Sequence, residues 1–119
     1  MEQDLLKYIL PAGILEHFII VKFEEVKEKI NDNQIKVLRI ILEEKNEIPS
    51  GYDKHQYESK GFYPPLQIKD FPIRDRAVIL VVKRRRWRNK QNKREEIRSE
   101  YNFIASGSKI TRDLSDFLK

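Results

Sequence analysis

Ala77-Val78-Ile79-Leu80-Val81-Val82-Lys83-Arg84-Arg85-Arg86-Trp87-Arg88 is the stretch that decides the fold. Its first six residues are apolar and four of them are β-branched, which reads as a buried strand. No turn residue separates that run from the cationic one. The sequence therefore predicts one long strand, Arg76 to Arg88, whose far end leaves the core carrying charge. Eight of the twelve residues from Lys83 to Arg94 are Lys or Arg, so that end is dominated by one sign of charge. Guanidinium forks match phosphate oxygens, and the interleaved Trp87 offers a stacking face.

A strand alternates its side chains between two faces. Arg84, Arg86 and Arg88 share one face, and Lys83, Arg85 and Trp87 share the other. The candidate nucleic-acid-binding residues are Lys83, Arg84, Arg85, Arg86, Trp87, Arg88, Lys90, Lys93 and Arg94. The favoured set is Arg84, Arg86 and Arg88, with Lys90, Lys93 and Arg94 from the polar turn Asn89 to Arg94.

Elements flank this strand on both sides. Leu66 to Phe71 reads as a short strand, and Pro72 with Arg74-Asp75 turns the chain into the long one. After the polar turn, Glu95 to Ile104 is expected to return as a partner strand, broken by Gly107. Thr111 is a helix cap with Asp113 in the first turn, and Leu114, Phe117 and Leu118 form an apolar stripe behind it.

The first half is organised differently. Asp4 to Leu10 reads as a short helix with Asp4 as cap and Leu5, Leu6, Ile9 and Leu10 as its stripe. Pro11 and Gly13 end it, and a second turn of helix is expected over Ile14 to His17. Phe18 to Lys29 and Ile35 to Glu44 alternate apolar and polar residues about the turn Asn31-Asp32-Asn33, which reads as a β-hairpin. The Glu/Lys content of Glu24 to Lys29 leaves a helix as the competing reading there. Lys45 to Pro65 carries Pro49, Gly51, Gly61, Pro64 and Pro65, and is expected to be loop. Its aromatics Tyr52, Tyr57, Phe62 and Tyr63 imply that this loop packs on something or binds something.

Charge divides the same way. Residues 1–60 carry nine Lys+Arg against twelve Asp+Glu, and residues 61–119 carry fifteen against seven. The overall charge of +5 thus conceals an acidic half and a strongly basic one, suited to a polyanion. No amphipathic helix has a Lys/Arg-rich face and no apolar run approaches the ~18 residues that span a bilayer, so no membrane partner is expected. The acidic start Met1-Glu2-Gln3-Asp4 does not read as a secretory n-region, so no leader is expected, and the absence of cysteine fits the cytoplasm.

Catalytic chemistry finds little footing. His17 and His55 have no second ligand at metal spacing: His55 reads as exposed and His17 as partly buried. There is no glycine-rich phosphate loop, and Ser50 and Ser59 have no base placed beside them. Glu24-Glu25 and Glu43-Glu44 read as solvated strand faces. No cofactor, metal or small-molecule substrate is expected, and no enzymatic activity.

A resemblance enters at Ile68-Lys69-Asp70-Phe71-Pro72-Ile73, followed by the Ala77 to Lys83 strand and the Arg84 to Arg88 end. An aspartate, an apolar residue and a proline, then a short turn, an alternating strand and an Arg-Arg-aromatic-Arg end resemble the N-terminal region of bacterial insertion-sequence transposases. In those proteins a zinc ribbon precedes a helix-turn-helix and a DDE nuclease domain. Ile110-Thr111-Arg112-Asp113-Leu114 is similar to the helix that opens their helix-turn-helix. Leu10-Pro11, Leu42-Glu43-Glu44-Lys45-Asn46, Gly61-Phe62-Tyr63 and Phe117-Leu118-Lys119 resemble a narrower subgroup in which this region is a separate short reading frame. The relatives' paired cysteines are replaced here by Tyr52-Asp53-Lys54-His55 and Asn89-Lys90-Gln91-Asn92, which excludes the family's zinc site. Packing is expected to hold that region, with loop aromatics in the metal's place.

The reading that follows is α+β: an antiparallel sheet of about four or five strands with short N- and C-terminal helices and a metal-free, ribbon-like β region. One domain is expected over 1–119: helix and hairpin in 1–46, aromatic loop in 47–65, basic β region in 66–110 and helix in 111–119. The resemblance implies a non-catalytic DNA-binding accessory component of a transposase, gripping element-end DNA through its phosphate backbone for a separate DDE catalytic subunit. The alternatives are an RNA-binding module of translation or RNA processing and a protein-interaction adaptor.

Overall fold

A computed structural model describes residues 2–103 and 109–119. The elements run α1 (Glu2–Ile9), α2 (Ile14–His17), β1 (Phe18–Ile30), β2 (Asn33–Glu44), β3 (Tyr57–Phe62), β4 (Leu66–Ile73), β5 (Arg76–Lys83), β6 (Arg85–Asn89), β7 (Glu96–Ile97) and α3 (Arg112–Leu118). They form two sheets, one ordered β1-β2-β5-β4 and the other β3-β6-β7, so the architecture is α+β.

The predicted hairpin is present, and Glu24 to Lys29 is strand. Ile30 pairs with Asn33 across a two-residue loop in which Asn31 and Asp32 have φ of 52° and 67°. Two positive φ values make the turn whose twist matches paired strands, and Asn and Asp tolerate that region. A second tight loop joins β4 to β5, with Ile73 paired to Arg76 and Arg74 at φ 58°. Antiparallel pairing dominates the four-stranded sheet, but β2 and β5 run parallel, with Leu38, Ile40 and Leu42 beside Val78, Leu80 and Val82. Parallel neighbours require a long crossover, and the thirty-odd residues from Lys45 to Asp75 supply it.

The main core lies on one face of this sheet. Ile40, Leu42, Ile68, Val78, Leu80 and Val82 form it, covered by Leu10, Ile14, Phe18 and Phe103. Leu10 and Leu6 bring α1 onto the core, while Leu5 and Ile9, expected on the same stripe, stay exposed. Glycine at 13, with φ 81°, ends that corner and starts α2. Phe18, Tyr101 and Phe103 meet ring to ring at 5.1 to 5.9 Å and close the core's end.

Three expectations are corrected. Arg76 to Arg88 is two strands, broken at Arg84, and they belong to different sheets. Val82 and Trp87 are both fully buried, yet they stand five positions apart, an odd offset. An unbroken strand would place them on opposite faces, so the backbone breaks between them and each half buries its own side. Second, Tyr57 to Phe62, expected as loop, is strand β3, paired with β6. Third, among the described residues the return strand after the polar turn is only the two residues of β7. The Asp4 cap and the Gly107 break lie outside the described residues and side chains.

At the other end Thr111 caps α3, its hydroxyl accepting from the Leu114 amide at 3.2 Å. Leu114 is buried, but Phe117 and Leu118 are exposed, with Phe117 touching Phe71 ring to ring at 5.5 Å. No helix among the described residues is long and apolar enough to cross a membrane.

Candidate nucleic-acid interface

The smaller sheet presents the basic run. Its interior is Tyr57, Trp87 and Ile97, with Ile48 packed against them. The Trp87 indole N–H donates to Asn46 Oδ1 at 2.9 Å, and the Tyr57 hydroxyl donates to Glu95 Oε1 at 2.7 Å. Trp87 is completely buried, so the stacking face expected from it is spent inside the protein.

Arg85 also points inward. Its backbone amide donates to Glu44 Oε1 at 2.9 Å, its Nε to the Glu44 carbonyl at 3.1 Å, and one terminal nitrogen to Ser59 Oγ at 2.7 Å. Its guanidinium lies over the Phe62 ring at 4.6 Å. Lys83 lies 3.5 Å from Glu43. Of the nine candidates, Trp87 and Arg85 are therefore held by contacts within the protein, and Lys83 is ion-paired.

Glu44 carries this junction. Expected as a solvated carboxylate, it is buried, because the Arg85 amide and the Tyr101 hydroxyl both donate to it. Burial, and then the bond to Glu44, hold the Tyr101 hydroxyl well above the ordinary tyrosine value.

Arg84, Arg86 and Arg88 face the other way. All three are half-buried, and each Nε is shielded from solvent without a hydrogen-bond partner among the described residues. Their stems therefore lie packed against the sheet, which is how a long cationic side chain covers apolar surface. Arg84 and Arg86 both lie over the Tyr63 ring, at 5.4 and 5.7 Å. The Tyr63 amide donates to the Arg84 carbonyl at 2.8 Å, locking ring and arginines in register. Of the three, Arg86 is ion-paired, to Glu96 at 2.8 Å.

The turn beyond continues the charge. Asn89 Oδ1 accepts from the amides of Gln91 and Asn92, shaping a loop on which Lys90, Lys93 and Arg94 are exposed. So the structure gathers Arg84 at the strand break, Arg86 and Arg88 on β6, and Lys90, Lys93 and Arg94 beyond its end.

Sequence reasoning missed Tyr63, Glu58 and Glu96 as parts of this surface. The signal for Tyr63 was Gly61, which at φ 84° sits where β3 shifts register between Ser59 and Phe62. A bulge of this kind re-aims the side chains that follow. Elsewhere His17 and His55 are both exposed; His17 stands against the Tyr101 ring at 5.2 Å. Among the described residues no three His, Asp or Glu side chains converge on a possible metal site. No protein-family model, no curated protein and no solved structure matches the chain.

Proposed function

We propose that this protein binds DNA without catalysing a reaction, through Arg84, Arg86 and Arg88 and the basic turn Lys90 to Arg94. The observation that carries the reading is the arginine row: three half-buried side chains on one sheet face, each with an Nε that has no hydrogen-bond partner among the described residues. A preordered guanidinium row loses little freedom on meeting phosphates. The resemblance of Ile68 to Ile73 and Ala77 to Arg88 to transposase N-terminal regions assigns it the role of an accessory component, working in the cytoplasm beside a separate DDE subunit. An RNA-binding module is the second reading, favoured by the Tyr63–arginine stack.

Anisotropy titrations across salt concentrations test this, using labelled DNA and RNA of one sequence. Binding should weaken steeply with salt, since each phosphate contact contributes about 0.9 to the logarithmic slope. Changing Arg84, Arg86 and Arg88 together to Ser should flatten the slope by about two to three units. Unchanged binding by that variant removes the site, and tighter binding to RNA than to DNA selects the second reading.

A further inference from the structure

Arg88 pairs across the sheet with Glu58 on β3 and with Glu96 on β7. Adjacent strands lie about 4.8 Å apart, so a carboxylate borders the arginine row on either side. Glu58 is ion-paired to Lys60 at 3.2 Å and Glu96 to Arg86 at 2.8 Å. The cationic track is thus one strand wide. It runs from Arg84 through Arg86 and Arg88 to Lys90, about 20 Å at the rise of an extended strand.

Reading a duplex through its major groove needs an element that enters a groove about 12 Å wide and about 8.5 Å deep. The arginines here lie along a sheet face with their stems held down, and they do not project. A duplex also presents two phosphate backbones, whereas the arginine row matches one and is bordered on either side by a carboxylate, Glu58 and Glu96. A single strand has one backbone, and its unstacked bases can lie on aromatic rings and guanidinium planes. Arg84 and Arg86 lie over the Tyr63 ring, which sets an aromatic ring and guanidinium groups together beside the row.

We infer that the β6 track takes single-stranded DNA in preference to duplex. Its phosphates follow Arg84, Arg88 and Lys90, one base lies on the Arg84–Tyr63–Arg86 stack, and Glu58 and Glu96 fence out a second strand. The inference rests on the DNA-binding reading above.

Full-length protein should be titrated with a labelled oligonucleotide of about 20 nucleotides that lacks self-pairing, alone and annealed to its complement. The single strand should bind about tenfold tighter or more, and Tyr63→Leu should weaken it about fivefold while Tyr63→Phe does not. Duplex binding should be insensitive to both. The E58Q/E96Q variant should strengthen duplex binding more than single-strand binding and so narrow the preference. Equal or tighter binding of duplex by the unaltered protein overturns the inference and leaves the DNA-binding reading standing. Binding of neither form overturns both.

Discussion

Glu44 and Arg85 are joined twice: the Arg85 amide donates to Glu44 Oε1 at 2.9 Å and its Nε donates to the Glu44 carbonyl at 3.1 Å. These bonds tie the end of β2 to the start of β6, and so one sheet to the other. Because Glu44 is buried, removing its carboxylate leaves the Arg85 amide and the Tyr101 hydroxyl without acceptors. An unsatisfied buried donor costs about 1–3 kcal/mol, so Glu44→Ala should cost about 2–5 kcal/mol. That is a fall in Tm of about 8 °C or more for a chain of this size. Glu44→Gln keeps one acceptor and should lose less. An unchanged Tm for Glu44→Ala would remove Glu44 from the junction.

The C-terminal helix is held by a second buried pair. Thr111 Oγ1 donates to Asp70 Oδ1 at 2.8 Å and accepts from the Leu114 amide, while the Thr111 amide donates to the Lys69 carbonyl. One hydroxyl thus caps α3 and docks it to β4. Thr111→Ala should cost about 1–2 kcal/mol, and Asp70→Ala a similar amount. The double variant should cost less than the two singles added, because both remove one bond. Additive losses in denaturant titrations would mean that the two groups act independently.

The parts of the fold legible in the sequence are those fixed locally. The hairpin of β1 and β2 announces itself through alternation and the turn Asn31-Asp32, since both work within a few residues. The Thr111 cap is legible for the same reason. Strand β3 was hidden, because Pro49, Gly51 and Gly61 punctuate its surroundings and only pairing with β6, some thirty residues on, holds it extended. The break at Arg84 did have a signal: an odd spacing between apolar residues 82 and 87 that no single strand can bury on one face. Glu44 had none, since its reason for burial lies 41 residues away at Arg85. At the site, strand parity separated Arg84, Arg86 and Arg88 from Arg85 and Trp87, but Tyr63, Glu58 and Glu96 reach the surface only through tertiary pairing.

Trp87 is the one tryptophan, so it reports on the small sheet without interference. Being fully buried among Tyr57, Ile97 and Ile48, it should fluoresce at short wavelength and resist quenching by iodide. DNA bound on the opposite, arginine-bearing face should leave its emission unchanged while anisotropy of the labelled DNA rises. Strong quenching on DNA addition would place the ligand on the wrong face. Trp87→Ala should cost about 3–5 kcal/mol, the cost of emptying a core position of that size.

Two tyrosines should weigh on stability at alkaline pH. The bond to Glu95 holds the Tyr57 hydroxyl above its ordinary value of 10.0, and burial, then the bond to Glu44, does the same for Tyr101. A folded state that binds a proton more tightly than the unfolded chain gains stability while both are protonated. That gain is complete below about pH 10, the unfolded tyrosine value, and is lost as pH rises from there through the folded values. Stability should therefore be level through neutrality and fall above about pH 10. On the acid side the sign reverses: Glu24 is held low by Lys22 and then Arg39, and Glu25 by Arg76, so their contribution is lost as pH falls below 4.5. Both glutamates are partly or fully exposed, which makes the acid limb the shallower one. Tyr57→Phe/Tyr101→Phe should be less stable than the parent at neutral pH, because Glu44 and Glu95 each lose a donor. Above about pH 10 its stability should decline less steeply than the parent's, since the two late-ionising protons are gone. Urea titrations at about pH 8 and about pH 11 read both effects; parallel decline of parent and variant would assign the alkaline loss to other groups.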